Sequence, residues 1–176
     1  YIVHENYRRD QELMKYAQTD ALTGLYNKET TKLRTDEILS TDKDMIHAFL
    51  ILDMDCFKQI NDGYGHAVGD IVLQKFGQLL RDIFREDDIV GRIGGDEFVV
   101  VMKNIKMKEM AIAKAEELLT KTQQYEIKEL NGSAISISIG IAMAPEDGDC
   151  YMDLYKRADQ ALYQAKRSGK ARVCGY

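Results

Sequence analysis

Ile89-Val90-Gly91-Arg92-Ile93-Gly94-Gly95-Asp96-Glu97-Phe98-Val99-Val100-Val101-Met102 is the stretch that decides how this chain folds. Two apolar runs flank a glycine pair, and glycine turns a chain at positive φ without steric cost. The pattern predicts a β-hairpin with Gly94-Gly95-Asp96-Glu97 at its tip. Two carboxylates at an exposed tip repel each other and gain nothing from burial. They make sense where a cation is meant to sit, provided other carboxylates share it.

Working outward, residues 47–52 form a short apolar run ending in Asp53, which reads as a buried strand. Residues 53–69 read as irregular, broken by Asn61-Asp62-Gly63 and Gly65. Val68, Ile71, Val72, Phe76, Leu79, Leu80 and Ile83 recur at helical spacing and predict a helix over about 67–84. Similar patterns predict helices over about 107–123 and 151–168, the latter closed by Gly169. A polar helix is expected over about 28–40, behind a capped turn at 20–27. Ile135, Ile137, Ile139 and Ile141 alternate with Ser136, Ser138 and Gly140, which is strand periodicity. Asn131-Gly132 suits a type I′ turn, so residues 125–130 are expected to be that strand's hairpin partner. The order predicts an α/β (α+β) sandwich on a βαββαβ core with a mostly antiparallel sheet.

At 176 residues the chain suits one domain with a sizeable core. A net charge of −5 and a pI near 5.3 argue against a nucleic-acid binder working through bulk positive charge. No apolar run approaches the roughly 20 residues needed to span a bilayer. Cys56, Cys150 and Cys174 form no CxxC pair, which fits a reduced, cytoplasmic setting. The chain begins at Tyr1 rather than Met, so a sensor or membrane anchor is expected upstream in a longer protein. Residues 1–18 then read as a connecting helix or linker, and 19–176 as the working domain.

Asp53 and Asp55 close the first strand and point to one side, because side chains alternate along a strand. In a βαββαβ core that strand end lies beside the hairpin, which would bring Asp53 near Asp96. Carboxylates converging from two strand ends suit Mg²⁺ and metal-assisted phosphoryl or nucleotidyl transfer. Residues 57–70 hold three glycines, Asn61, His66 and Asp70 directly before a helix. Backbone N–H groups there can meet phosphates, and Asn61 and Asp70 can hydrogen-bond a guanine. Lys166 and Lys170 could serve the β- and γ-phosphates. Each candidate also has a plainer reading. Acids end strands, Asn and Gly make turns, Asp70 favours a first helical turn and lysines favour a helix C-terminus.

These blocks, in this order, resemble a GGDEF domain, the catalytic module of diguanylate cyclases. The resemblance covers residues 19–173. It rests on Asp20-Ala21-Leu22-Thr23-Gly24-Leu25-Tyr26-Asn27, Asp53-Met54-Asp55-Cys56-Phe57-Lys58, Ile60-Asn61-Asp62, Gly65-His66 and Gly69-Asp70. It continues through residues 92–98, Ser138-Ile139-Gly140-Ile141-Ala142, and Ala158-Asp159 to Ala165-Lys166. It implies a nucleotidyl-cyclase or polymerase-palm-like fold, with a five-stranded sheet wrapped by helices and an extra C-terminal hairpin. It implies condensation of two GTP into cyclic di-GMP with release of two pyrophosphates, in a homodimer of half-sites. Asp53, the backbone carbonyl of Met54, and Asp96 would hold Mg²⁺, with Mn²⁺ a substitute. Asp96 or Glu97 would help deprotonate the attacking 3′-hydroxyl. Asn61 and Asp70 would read guanine, with His66, Phe57 and Lys58 in the nucleotide pocket and Lys166 and Lys170 on the terminal phosphates.

Arg85 and Asp88 have the RxxD spacing and the offset of the family's inhibitory product site, where cyclic di-GMP would bind. Lys28 and Glu29 stand where the family often has arginines, and Lys170 where arginine is common; lysine keeps the charge but loses the bidentate fork. Two alternatives keep the same fold: a silent GTP or cyclic di-GMP binding module, and a cyclase of altered purine choice. The retained Asp53, Asp96 and Glu97 disfavour the first. Asp70, suited to guanine's N1–H, disfavours the second.

Overall fold

The computed structural model describes residues 17–176. The expected connecting segment at 1–18 therefore lies almost wholly outside the described residues. The elements in order are α1 (Lys28–Thr41), β1 (Ile46–Met54), α2 (Phe57–Tyr64), α3 (His66–Ile83), β2 (Ile89–Gly94) and β3 (Glu97–Ile105). There follow α4 (Lys108–Gln124), a 3₁₀ turn (Lys128–Leu130), β4 (Ile137–Ala144), α5 (Tyr151–Arg167) and β5 (Val173–Gly175).

The strands form one sheet in the order β2-β3-β1-β4-β5. β1 pairs antiparallel with both β3 and β4, and β5 joins β4 in parallel. β1 is an unbroken apolar run because it is covered on both faces. Leu50 and Leu52 pack with Phe76, Leu80 and Phe98 beneath α3 and α4. Phe49 and Ile51 pack with Val99, Leu154 and Leu162 beneath α1 and α5. At Gly140 the backbone of α5 lies directly on β4: a Cβ there would stand 2.1 Å from the Ala158 carbonyl oxygen. Among the described residues no helix is long and apolar enough to cross a membrane.

Three expectations need correction. Residues 53–69 are not irregular; α2 fills 57–64 and only Gly65, at φ 87°, separates it from α3. Phe57 and Ile60, three apart, pack against the core and supply the helical spacing that the glycines disguise. Residues 125–130 do not pair with β4. Ile127 and Leu130 are instead buried to 1% exposure around the 3₁₀ turn, and the Asn131-Gly132 turn leads into a strand that starts only at Ile137. No extra C-terminal hairpin occurs among the described residues. The fifth strand is β5, three residues returning in parallel after α5, as a crossover connection allows.

Candidate functional site at the end of the sheet

The hairpin does form, and register brings its tip to the end of β1. Asp53 lies opposite Glu97, and the Met54 N–H donates to the Asp96 carbonyl at 3.3 Å. Cross-strand partners share a face, and the face carrying Asp53 and Glu97 is the one α5 covers. From α5, Lys166 Nζ reaches an Asp53 carboxylate oxygen at 2.8 Å, and the Tyr155 hydroxyl donates to Glu97 Oε1 at 2.8 Å. Burial raises the Asp53 pKa; Lys166 opposes the rise, and the charges of Asp96 and Asp55 add to it. Burial likewise raises Glu97, against the Tyr155 hydrogen bond and with the help of Asp53.

The tip is braced from the chain's N-terminal side. Arg92 Nε donates to the Gly95 carbonyl at 2.9 Å while its Nη1 pairs with Asp20 at 3.1 Å. Asp20 also accepts from the Thr23 N–H at 2.9 Å and hydroxyl at 2.7 Å. Burial would raise its pKa, but these hydrogen bonds hold it below the usual carboxylate value. The block at 20–27 thus holds the turn that presents Asp96.

Asp53, Asp96 and Glu97 offer hard oxygen donors in a half-buried corner, and burial there opposes the ionisation of Asp53 and Glu97. That donor set fits Mg²⁺ or Mn²⁺, and the Lys166 ammonium on Asp53 stands where cationic charge is wanted. The three carboxylates are not drawn within 4.8 Å of one another; among the described residues only Asp149, Cys150 and Asp153 are, at the start of α5. Asp55 points to the same side as Asp53 but is fully engaged. It accepts from the hydroxyls of Ser136 (2.6 Å) and Ser138 (2.7 Å) and from the Ala171 N–H (3.1 Å).

The nucleotide candidates lie on α2, α3 and the end of α5. Asn61 Oδ1 rests so close to Gly69 that a Cβ there would stand 1.9 Å away, so Gly69 makes room for the amide. Asp70 follows directly, exposed on the first turns of α3 that His66 opens. Phe57 packs on the core and Lys58 is exposed. α2 buries no residue completely. Lys170, at φ 62°, sends Nζ to Cys56 Sγ at 3.3 Å, bringing a second cation to the start of α2. Beside it opens a cavity of about 410 Å³ lined by Cys56, Gln59, Tyr64, Ser136 and Lys170.

Arg85 and Asp88 sit apart, on the turn between α3 and β2. Arg85 is exposed. Asp88 is buried, and its oxygens accept the backbone N–H groups of Arg85 (3.1 Å) and Lys103 (3.0 Å). Sequence reasoning missed Tyr155. Its signal was position: it falls on the α5 stripe with Tyr151, Ala158 and Leu162, yet carries a hydroxyl that an apolar face does not need.

The family model described as "Diguanylate cyclase, GGDEF domain" matches residues 17–172. The chain belongs to the GGDEF domain family. It is 37% identical to the diguanylate cyclase DgcS of Shewanella oneidensis over 91% of this chain and 53% of that protein. The coiled coil and GGDEF domain of DgcB from Caulobacter crescentus, solved in complex with c-di-GMP, superposes with a TM-score of 0.90 at 25% identity, covering 99% of this chain and 93% of that one. The GGDEF domain of YfiN from Pseudomonas aeruginosa gives 0.83 at 35% identity, over 89% and 93%. The GGDEF chain spans 23% to 53% of the length of the first curated relatives it matches. The five-stranded α+β sheet is that of GGDEF structures.

Proposed function

We propose that this GGDEF domain is a diguanylate cyclase, joining two GTP into cyclic di-GMP and releasing two pyrophosphates. The observation that carries the reading is the meeting of Asp53, Asp96 and Glu97 at one sheet end with Lys166 among them. Asp53, the Met54 carbonyl and Asp96 would hold the divalent cation, with one Glu97 carboxylate oxygen turned toward it; the cation would supply charge neutralisation at the α-phosphate and the leaving pyrophosphate. Asp96 or Glu97 takes up the proton of the attacking 3′-hydroxyl. Asn61 and Asp70 orient guanine, with Phe57, Lys58 and His66 around the nucleotide. Lys166 and Lys170 move onto the terminal phosphates, Lys166 leaving Asp53 to do so.

Each domain offers one half-site, so two copies face each other and their alignment sets the rate. An upstream sensor would act by changing that alignment; crosslinking of the longer protein that showed no change in pairing on activation would contradict this. Arg85 would bind cyclic di-GMP as an inhibitor from the turn that Asp88 holds in place.

The test is incubation of concentrated protein with GTP and Mg²⁺, followed by chromatography of the nucleotides, with Asp96→Ala alongside. Cyclic di-GMP from the parent and none from the variant is the expected result. No product from the parent, even when a fused coiled coil enforces pairing, would overturn the reading in favour of a nucleotide-binding module.

A further inference from the structure

We propose that Tyr155 is a positioning residue for Glu97: it fixes one carboxylate oxygen and leaves the other for the cation and the 3′-hydroxyl. This rests on the cyclase reading. The hydroxyl stands 2.8 Å from Glu97 Oε1. Its aim is fixed by a column of rings. Tyr155 stacks on Tyr151 at 5.9 Å and 21°, and Tyr151 meets Phe49 edge-on at 5.3 Å. Tyr151 is buried, and its backbone N–H donates to Asp36 at 2.7 Å. The helix beneath is seated on β4 at Gly140. A glutamate at a strand end has three side-chain torsions; a donor on a rigid column removes most of that freedom before substrate arrives.

Tyr155 and Lys166 are eleven residues apart on α5, three helical turns, so they share a face. They serve the two members of one cross-strand pair, Glu97 and Asp53. Their natures differ in a way that matters. An ammonium competes with an incoming cation for the carboxylate and has to leave. A neutral hydroxyl orients the carboxylate without cancelling its charge, so it stays in place while the cation binds.

Tyr155→Phe keeps the ring and removes only the donor. The expected result is a fall of about tenfold in kcat, the size of one hydrogen bond to a charged group. KM for GTP should hold to within about twofold. Mn²⁺ titration followed by electron paramagnetic resonance should show weaker binding than the parent. In a Glu97→Gln background the Tyr155→Phe change should no longer move Mn²⁺ affinity. Parent-like Mn²⁺ affinity in Tyr155→Phe, or an equal loss with and without Glu97, would overturn the proposal. Should the parent make no cyclic di-GMP even with a fused coiled coil enforcing pairing, the cyclase reading fails by itself, and the Mn²⁺ titrations alone decide the role of Tyr155.

Discussion

The end of β1 holds two carboxylates, two residues apart, with opposite fates. Asp55 sits in a corner of donors and accepts from two serine hydroxyls and a backbone N–H. Asp53 sits in a corner of acids, opposite Glu97 and near Asp96, with Lys166 as its counter-ion. The first corner is a finished structural joint, tying β1 to β4 and to the chain after α5. The second holds charge that the fold does not satisfy well. An acid whose environment opposes its ionisation is stabilised by whatever cation arrives; an acid surrounded by donors has no such need.

The sharpest way to break this contrast is to neutralise each side in turn. Asp53→Asn should lower cyclic di-GMP formation by on the order of 10³-fold, the scale seen when a group stabilising transition-state charge is removed. The same change should leave the melting temperature unchanged or raise it. Burial puts the folded-state pKa of Asp53 above the ordinary aspartate value of 3.8. The folded protein therefore binds that proton more tightly than the unfolded chain, and stability falls as pH rises from about 3.8 through the folded value. At neutral pH the ionised group is a net cost, which asparagine removes.

Asp55→Asn should do the reverse. An amide NH₂ would face hydroxyl and N–H donors, costing about 2 kcal/mol in urea unfolding, with activity per folded molecule largely kept. Gly140→Ala tests whether the acid corner depends on the seating of α5. A new Cβ 2.1 Å from the Ala158 carbonyl forces the helix off β4, for about 1–3 kcal/mol of stability. It should lower kcat as well, since Tyr155 and Lys166 ride on that helix. The smallest effect belongs to a partly exposed acid on the surface of α4. Glu117, paired with Lys114 and Lys121, is held down to about 2. Its stabilisation is present above pH about 4.5 and is lost as pH falls toward 2. Solvent screening keeps Glu117→Gln below about 0.5 kcal/mol in the same unfolding assay.

The hairpin, β1, α3 and α5 were legible because each has an unmixed signal: apolar runs around glycines, or helical spacing of aliphatics. The meeting of Asp53 with the hairpin was legible once the strand order was assumed. α2 was hidden because Asn61-Asp62-Gly63 reads as a break inside an eight-residue helix, while two core contacts, Phe57 and Ile60, hold it. The false hairpin at 125–130 came from a real Asn-Gly turn whose neighbours bury side chains in the core instead of pairing their backbone. For Tyr155 only its place on the apolar stripe of α5 was legible; its partner Glu97 depends on the register of α5 against β3, which no local pattern encodes. The engagement of Asp55 and Asp88 by donors is likewise a tertiary fact; by type alone they match Asp53.

The most direct measurement is a chromatographic assay of the parent and Asp53→Asn at equal concentration with GTP and Mg²⁺, each with its melting curve. The expected result is cyclic di-GMP from the parent, on the order of 10³-fold less from Asp53→Asn, and a variant that melts no lower than the parent. Equal product from both, or a variant that loses product only because it has lost its fold, would contradict it.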